Sequence, residues 1–509
     1  MDVVDNEPNC RRAALAVWIL ALAEFALHFY FNKGYGYFRD EFNYIACGEH
    51  LDWGFVDHPP LIPLAAKISR MLFGDSLRVI RLVPAIASSL IVAQGAAIAR
   101  RMKGGPYAML LTATAIAVAP IYLSAGSLLT TNCLEPLLWM GCVYFAMRAT
   151  EGDARFWLAF GATAGLGMEE KYSIAVLAAG ILFGLLLTPD RRSIATRWMW
   201  LGGAVALTLF LPNMLWNIHH HWPFLEVMRN IRTSGRDVVL TPPRFVLEQM
   251  LLVGPLAAPL WIAGLAALLW WRRLQQVRFL GWCYLFVFAF FELNHGKNYY
   301  LAPVYPMLLA AGAVFLGASR FTWLKVAAPV AIVAAGLALM PVVVPILGPE
   351  QLSAYLDSLP FAVPRTEVSH IGARLPQHYA DQFGWQELVD VVARGWATLS
   401  PRERPACGIF AQNYGQAGAI DFLGRRYGLP PALSGNQTYF IWGPHGYSGN
   451  CLIVTGDRES RLRELFESVE RVGESSSPYA LENRIPVYLC RRAKFGPLEK
   501  IWPELKAWP

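Results

Sequence analysis

The chain has 509 residues, of which 55% are hydrophobic and 16% are charged. An ordinary soluble domain carries roughly 25% charged residues, so the composition excludes a soluble protein over most of the chain and indicates a membrane protein. The formal net charge of +7 does not indicate a nucleic-acid partner, because much of the lysine and arginine lies in short loops between apolar segments.

Apolar segments of bilayer length predict about eleven transmembrane helices. The first follows Arg11 and Arg12, and no small-residue cleavage site comes after it, which favours a membrane helix over a signal peptide. The predicted spans are at roughly 13–32, 79–99, 106–123, 132–149, 156–170, 173–188, 196–214, 246–271, 277–293, 299–318 and 323–346. We therefore expect a transmembrane domain over residues 1–346 and a soluble α/β domain over residues 347–509.

Basic residues fall at every second short loop, a distribution typical of the cytoplasmic side of a multi-pass protein. The opposite side then receives the long loop 33–78, the short turn near 124–131, the turn near Lys171, the loop 215–245, the turn 292–298 and the C-terminal domain. We predict a protein of a bacterial inner membrane whose reactive residues face out of the cytoplasm, among membrane lipids.

The C-terminal domain contains strand-like segments at Gly408 to Ala411, Cys451 to Thr455 and Val487 to Cys490, and amphipathic helices at 386–398 and 459–472. It has three cysteines, so any disulfide there leaves one thiol over. The Gly-rich segment 413–419 opens a helix, either as a plain strand-to-helix turn or as a source of amide donors for an anion.

Adjacent carboxylates follow the first apolar span. Asp40 and Glu41 precede a short interfacial helix that runs to Leu51. A like-charged pair close to an apolar boundary suits proton abstraction from a hydroxyl, although such a pair also occurs in solvated loops and helix caps. Since Asp57-His-Pro-Pro60 and a second amphipathic stretch, Leu61 to Phe73, follow in the same loop, we expect a structured platform on the membrane surface.

This order of features resembles the PMT-like glycosyltransferases of the GT-C fold. The family contains protein O-mannosyltransferases, aminoarabinose transferases acting on lipid A and galacturonic-acid transferases acting on lipopolysaccharide. The resemblance covers about residues 10–345. It implies an enzyme that moves a sugar from a polyprenyl-phosphate carrier to an extracytoplasmic glycan, lipid or protein acceptor.

The resemblance also implies roles for individual residues. Asp40 matches the general base, Glu41 completes its pair, and Tyr44 matches an aromatic residue facing the donor phosphate. Glu135 stands where the family has a second aspartate, with helix capping by Asn132 as the alternative explanation of that turn. Asp57 and His58 stand where one branch has Glu and Lys, which makes His58 a candidate phosphate ligand.

Cations are expected near the departing phosphate, which carries about two negative charges. Lys171 resembles the family's phosphate-binding lysine, although a lysine that snorkels and pairs with Glu170 explains it equally well. Arg229 is a further candidate, in a basic outer loop. Lys297 and Tyr300 resemble a Lys-x-x-Tyr-x-x-Pro turn of the family.

No cofactor is required by these motifs, and a divalent metal is an open alternative. The run Asn217-Ile-His-His-His-Trp222 cannot hold an ion by itself on a helix, but His221 together with Asp57 or His58 could do so, as the lipid A branch does. A solvated loop is the simpler interpretation.

Two other classes of protein compete with the enzyme. A transporter or flippase of lipid-linked sugars would show repeated halves and polar residues near the bilayer midplane, and neither is evident. A non-catalytic scaffold subunit would tolerate alanine at the outer carboxylates.

Overall fold

The computed structural model describes residues 7–508 and divides the chain into two compact units. The first, which we call the membrane unit, comprises Met1–Gly34, Arg78–Trp216 and Val238–Gly348. The second, which we call the α/β unit, comprises Tyr35–Leu77, Asn217–Asp237 and Pro349–Pro509. This division differs from the predicted boundary at residue 346, because two loops that interrupt the membrane helices fold with the C-terminal segment.

Most of the described chain is helical. The α-helices are, in chain order, α1 Glu7–Phe31, α2 Arg39–Glu49, α3 Leu61–Phe73, α4 Leu77–Ile80, α5 Leu82–Arg101, α6 Pro106–Ala117, α7 Pro120–Ala125, α8 Glu135–Thr150, α9 Phe156–Met168, α10 Ile174–Leu186, α11 Arg197–His219, α12 Pro223–Ser234, α13 Pro242–Val253, α14 Ala258–Trp270, α15 Phe279–Leu293, α16 Tyr305–Gly317, α17 Thr322–Val343, α18 Pro349–Ser358, α19 Gln377–Ala380, α20 Trp385–Ala397, α21 Tyr414–Leu423, α22 Gln437–Trp442, α23 Glu459–Leu465 and α24 Leu498–Ile501. Short 3₁₀ helices lie at Pro189–Ala195, Arg272–Val277, Asn298–Val304, Val368–His370, Arg404–Ala406, Gly424–Tyr427 and Trp502–Leu505.

The membrane unit contains five helices that are long and apolar enough to cross a bilayer, counted over residues 7–508. The number rises to seven if each of two sharply bent pairs is one span; α13 and α14, for example, meet at 110°. The prediction of about eleven spans is larger because several predicted spans are short helices. α9 and α10 have 13 residues each, which at 1.5 Å per residue is less than the roughly 30 Å of a hydrocarbon core. The chain is a multi-pass membrane protein.

Glycines bring pairs of membrane helices into close contact. A Cβ atom on Gly264 of α14 would overlap the carbonyl oxygen of Leu308 in α16, and one on Gly312 of α16 would overlap that of Leu260 in α14. Small residues at crossing points let helix backbones approach when lipid supplies no hydrophobic driving force. The fully buried core around these helices includes Trp139, Leu268 and Tyr305.

The α/β unit is built around a five-stranded sheet with strand order β2-β1-β3-β5-β4. Its strands are β1 Cys407–Phe410, β2 Ala432–Leu433, β3 Cys451–Thr455, β4 Phe466–Glu474 and β5 Pro486–Ala493. β1 pairs in parallel with β2 and β3, whereas β5 runs antiparallel to β3 and β4. The predicted small C-terminal α/β domain is confirmed.

One predicted element of this domain is wrong. The segment 459–472 was expected to be one amphipathic helix, but α23 ends at Leu465 and β4 begins at Phe466. Phe466, Val469 and Val472 recur every third residue, which fits one face of a helix. In the strand these residues do not share one cluster: Phe466 and Val469 pack with Leu452, whereas Val472 packs with Ile453.

Helix α2 belongs to the core of the α/β unit. Phe42 is fully buried and lies in one hydrophobic cluster with Trp385, Ile409 and Ile453. The predicted pair of helices in the first long loop is confirmed as α2 and α3. Their packing attaches the loop that carries Asp40 to the C-terminal segment.

A disulfide joins Cys407 and Cys451, which are register partners on the neighbouring strands β1 and β3. Cys490, the third cysteine of this segment, is a buried free thiol on β5.

Candidate functional site

Asp40 lies in the first turn of α2 with its carboxylate partly exposed, at 30% of the side-chain surface. The hydroxyl of Tyr414 donates a hydrogen bond of 2.6 Å to Oδ1 of Asp40. The Nε of Arg39 is 3.7 Å from the same oxygen. The other oxygen, Oδ2, accepts no hydrogen bond from residues 7–508. One half of the carboxylate is therefore held and the other half is open.

Glu41, the second member of the predicted pair, has a different environment. It is fully buried, and its Oε2 accepts a hydrogen bond of 2.8 Å from the backbone N–H of Phe38. The N–H of Glu41 donates in return to the carbonyl of Phe38 at 2.9 Å. This reciprocal capping fixes the start of α2, and a catalytic part for Glu41 remains a prediction.

Tyr414 is the first residue of α21, and its position is set by several contacts within the α/β unit. Asn413 caps α21 by accepting the N–H of Gln416 at 2.9 Å. The N–H of Tyr414 donates to the side chain of Asn436 at 3.1 Å. A Cβ on Gly418 would lie 2.7 Å from Cβ of Phe42, so α21 rests closely on α2.

Arg39 connects Asp40 to a chain of charges on the C-terminal segment. Its guanidinium lies 3.7 Å from Oδ2 of Asp381, and Asp381 is 3.3 Å from Nε2 of the fully buried His370. His370 is 3.9 Å from Glu367, which pairs with Arg236 at 3.0 Å. These side chains anchor the guanidinium that contacts Asp40.

His58 is buried rather than exposed to a phosphate. Its Nδ1 lies 3.0 Å from the carbonyl of Pro59, and its Nε2 is 3.4 Å from the amide of Asn43. The ring of Tyr44 packs edge-on against His58 at 4.9 Å between centroids. Predicted phosphate contacts for His58 and Tyr44 therefore stay predictions, and both side chains help to pack α2 against the following loop.

Asp57 is 3.8 Å from Nε2 of His58, and its Oδ1 accepts no hydrogen bond within residues 7–508. Burial raises the pKa of Asp57, and the negative charge of Asp40 adds to the increase. Within that described range, no group of three or more His, Cys, Asp and Glu side chains is arranged to hold a metal ion. The suggested set of Asp57, His58 and His221 is thus not assembled in the structure.

Helix α12 lies in the loop 215–245, in which a basic cluster was predicted. Arg229 is exposed on this helix, and His221 is exposed just before it. Arg236, two residues beyond the end of α12, is the arginine of this loop that joins the network of Glu367.

The membrane unit contains a second polar cluster, centred on Lys171 between α9 and α10. The ammonium of Lys171 donates to Oδ1 of Asn132 at 2.7 Å and to Oε2 of Glu135 at 3.0 Å. The Glu135 side chain is 3% exposed and that of Lys171 is 19% exposed. Lys171 thus pairs with Glu135, not with Glu170 as the snorkelling alternative proposed.

Glu135 and Glu170 are both satisfied within this cluster. Ser173 donates a hydrogen bond to Oε1 of Glu135, and Glu170 accepts the N–H of Leu134 at 2.9 Å, at the start of α8. Asn132 contacts Lys171 and Thr130. The turn that contains Thr130 and Asn132 and the turn at Lys171 therefore form one polar site.

Tyr300 borders the same cluster, because the ammonium of Lys171 lies 4.6 Å from its ring centroid. Tyr299 is 5.9 Å from the ammonium. Both follow Lys297 in a 3₁₀ helix held by Asn298, whose amide donates to Glu248 at 2.6 Å. The geometry brings Lys171, Glu135 and Tyr300 together, and it places Lys297 at the edge of the same turn.

Sequence reasoning missed Tyr414 and the charges at Arg39, Asp381, His370 and Glu367. The signal for Tyr414 was the pair of glycines at 415 and 418, three residues apart at the start of a helix, which indicates close contact with another element. The partner of that helix is not evident from the sequence, since Tyr414 and Asp40 are 374 residues apart.

Three comparisons with known proteins bear on this arrangement. Residues 57–216 match the family model described as dolichyl-phosphate-mannose-protein mannosyltransferase. A lipid A galacturonosyltransferase, RgtD, from Rhizobium johnstonii is 28% identical over 192 residues, which cover 36% of this chain and 39% of that protein. An undecaprenyl phosphate-α-4-amino-4-deoxy-L-arabinose arabinosyl transferase from Pseudomonas fluorescens is 27% identical over 265 residues, 48% of this chain and 47% of that protein. The chain thus aligns with less than half the length of either relative.

The structure as a whole is similar to that of ArnT from Cupriavidus metallidurans. The crystal structure of ArnT bound to undecaprenyl phosphate matches with a TM-score of 0.59 at 14% sequence identity, over 94% of this chain and 96% of that chain. The chain has the fold of GT-C membrane glycosyltransferases. The resemblance to PMT-like glycosyltransferases, drawn from the sequence, is confirmed.

Proposed function

We propose that the protein is an integral-membrane glycosyltransferase that moves a sugar from a polyprenyl-phosphate carrier to an extracytoplasmic acceptor. The observation that carries this proposal is the carboxylate of Asp40, which is held at Oδ1 by Tyr414 and Arg39 and open at Oδ2. A fixed, partly exposed carboxylate with one open oxygen is the geometry that a general base requires.

The reaction we propose is a direct displacement at the anomeric carbon of the donor. Oδ2 of Asp40 takes the proton of an acceptor hydroxyl while the acceptor oxygen forms a bond to that carbon. The bond between the anomeric carbon and the phosphate oxygen breaks, and polyprenyl phosphate leaves with the electron pair. The proton ends on Asp40, so atoms and charge balance.

Lys171 is our candidate for stabilising the departing phosphate. Its ammonium is fixed by Asn132 and Glu135 and remains partly exposed. A preorganised cation stabilises the charge that develops on a leaving group more than a mobile one does. Lys297 and Tyr300, in the neighbouring turn, are proposed to assist, and Arg229 is proposed to attract the donor from its exposed position on α12.

The active side is proposed to face out of the cytoplasm, in a bacterial inner membrane. Segments of one folded unit must lie on one side of a bilayer, and Tyr35–Leu77, Asn217–Asp237 and Pro349–Pro509 form one unit. The disulfide between Cys407 and Cys451 supports an oxidising compartment.

We propose undecaprenyl phosphate as the carrier and lipid A or another envelope glycan as the acceptor. The relatives from Rhizobium and Pseudomonas are named for lipid A and for an undecaprenyl-phosphate sugar, and ArnT was solved with undecaprenyl phosphate. The alternative function, transport of a lipid-linked sugar, finds no support in these names. A missing pentose, hexose or uronic acid increment in the lipid A or glycan masses of a deletion strain would identify the sugar.

The direct test uses purified full-length protein in vesicles that contain undecaprenyl-phosphate sugars and lipid A. Asp40→Asn should lower transfer by about 10²- to 10⁴-fold, the usual contribution of a general base, while donor binding is kept. Asp52→Asn is the matched control, because Asp52 is an exposed aspartate of the same loop. Donor translocation without transfer by the wild type would overturn the proposal in favour of a transporter.

A further inference from the structure

Two side chains contact one oxygen of Asp40, the hydrogen-bond donor Tyr414 and the cation of Arg39, and they come from different parts of the chain. Arg39 is its neighbour in sequence, whereas Tyr414 belongs to the C-terminal segment. The hydrogen bond from Tyr414 is the shorter contact, at 2.6 Å against 3.7 Å for Arg39. The orientation of the carboxylate in the structure thus depends mainly on the tyrosine.

We infer that Tyr414 is a positioning residue for sugar transfer, because its hydroxyl holds Oδ1 of Asp40 and so directs Oδ2 to the acceptor hydroxyl. This inference rests on the proposed function of Asp40 as the base. It assigns the C-terminal segment a part in the chemical step, in addition to any part in recognising the acceptor.

The backbone and the ring of Tyr414 are themselves held in place. The backbone of Tyr414 is fixed by Asn436 at 3.1 Å, and the guanidinium of Arg39 lies 5.5 Å from the centre of the tyrosine ring. A Cβ on Gly415 would overlap the Arg39 side chain, so only glycine allows α21 to come this close. The ring is confined between a helix start and a cation.

The hydroxyl also stays protonated. Removal from water raises the pKa of Tyr414 well above its ordinary value, the charge of Asp40 adds to the increase, and Arg39 partly opposes it. Tyr414 is therefore a hydrogen-bond donor at every pH at which Asp40 could act as a base.

Loss of the hydroxyl would leave Arg39 as the remaining partner of Oδ1. The carboxylate could then rotate about its side-chain torsions, and fewer molecules would present a free oxygen to the acceptor. Misplacement of a catalytic group by about 1 Å costs about 10²-fold in rate. Because Tyr414 acts through Asp40, the loss should appear in kcat and leave the KM for donor unchanged.

The test compares Tyr414→Phe with Tyr439→Phe in the full-length protein, in vesicles with an undecaprenyl-phosphate sugar and lipid A. Tyr439 donates a hydrogen bond of the same length, 2.6 Å, to Asp421 in the same unit and is the matched control for loss of a tyrosine-carboxylate bond. We expect Tyr414→Phe to lower kcat by about 10- to 100-fold at unchanged donor KM, and Tyr439→Phe to keep its kcat.

A second readout separates positioning from a structural effect. A hydrogen bond donated to a carboxylate favours its ionised form, so the acidic limb of the pH profile of kcat should move to higher pH in Tyr414→Phe only. Equal kcat and pH profile in Tyr414→Phe and wild type, with Asp40→Asn inactive, would overturn the inference while leaving the proposed function intact. Absence of transfer by the wild type would instead overturn the proposed function.

Discussion

The ammonium of Lys171 lies 3.0 Å from a carboxylate oxygen of Glu135, which is 36 residues earlier in the chain. The two side chains come from different turns of the membrane unit and meet where both are largely buried. An incoming phosphate would meet a cation whose position is already fixed by this pair.

Replacement of the cation should weaken donor binding. Lys171→Ala removes the fixed ammonium, so we expect the Kd for undecaprenyl phosphate to rise by about 10- to 100-fold, since hydrogen bonds to charged groups contribute about 1.5–3 kcal/mol. Calorimetric titration in detergent measures the change. Arg272→Ala, an exposed arginine of another loop, serves as control, and an unchanged Kd in Lys171→Ala would exclude Lys171 as a phosphate ligand.

Loss of the anion should lower stability. Glu135→Ala leaves the ammonium of Lys171 and the hydroxyl of Ser173 without the carboxylate they contact. We expect a loss of about 1–3 kcal/mol, the penalty for an unsatisfied buried polar group, measured as a lower midpoint of thermal unfolding in detergent. A midpoint equal to that of the wild type would contradict the observed pairing.

The two substitutions should not be additive. In Lys171→Ala/Glu135→Ala both partners are absent, so the double variant should be more stable than the sum of the two single losses predicts, by about 0.5–3 kcal/mol. The same thermal unfolding measurements complete this double-mutant cycle. Additive losses would show that the two side chains contribute independently.

Reduction of the disulfide should destabilise the α/β unit. The bond between Cys407 and Cys451 closes a loop with a sequence separation of 44, for which removal costs about 2–4 kcal/mol. Unfolding should therefore begin at a lower temperature in the presence of a phosphine reductant. The variant Cys407→Ser/Cys451→Ser is the control, because its unfolding should not respond to the reductant; a wild type that also fails to respond would contradict the prediction.

The stability of the α/β unit should decrease as pH rises towards neutrality, in part through Asp421. Burial raises the pKa of Asp421 to about 6, above the roughly 3.9 of an unfolded chain. The folded state thus binds this proton more tightly, so the contribution is fully present below pH 4 and is lost as pH rises through about 6. We expect Asp421→Asn to flatten the decline between pH 4 and pH 7 by about 1–3 kcal/mol, as followed by thermal unfolding. An identical pH dependence in both proteins would contradict this assignment.

The sequence predicted correctly those features that depend on residues close together in the chain. The helices α2 and α3 were predicted because amphipathic periodicity is a local property, and Asp40 stands at the start of α2. Lys171 and Glu135 were predicted as separate residues of two turns. Their contact could not be predicted, because it depends on how α8 and α10 pack.

Long-range partners account for what the sequence did not reveal. Glu41 is buried at the capped start of α2, and His58 is buried between α2 and the loop that follows it. Periodicity cannot distinguish a carboxylate that caps a helix from one that faces a substrate. Similarly, Arg236 rather than Arg229 joins an ion-pair network because Glu367 lies next to Arg236. Fewer helices, five to seven, are long and apolar enough to cross a bilayer by themselves in residues 7–508 than the roughly eleven predicted spans, since hydrophobicity alone does not show where a helix breaks.

The α/β unit is assembled from three chain segments separated by membrane helices. During synthesis, α2 emerges early, yet the residues that cover Phe42, among them Trp385 and Gly418, are translated much later. The nascent protein must hold an exposed aromatic surface until Trp385 and Gly418 have been synthesised. Premature termination near residue 348 would therefore remove the residues that cover Phe42 and the Tyr414 hydroxyl that contacts Asp40. Quality-control proteases would then encounter an incompletely folded unit.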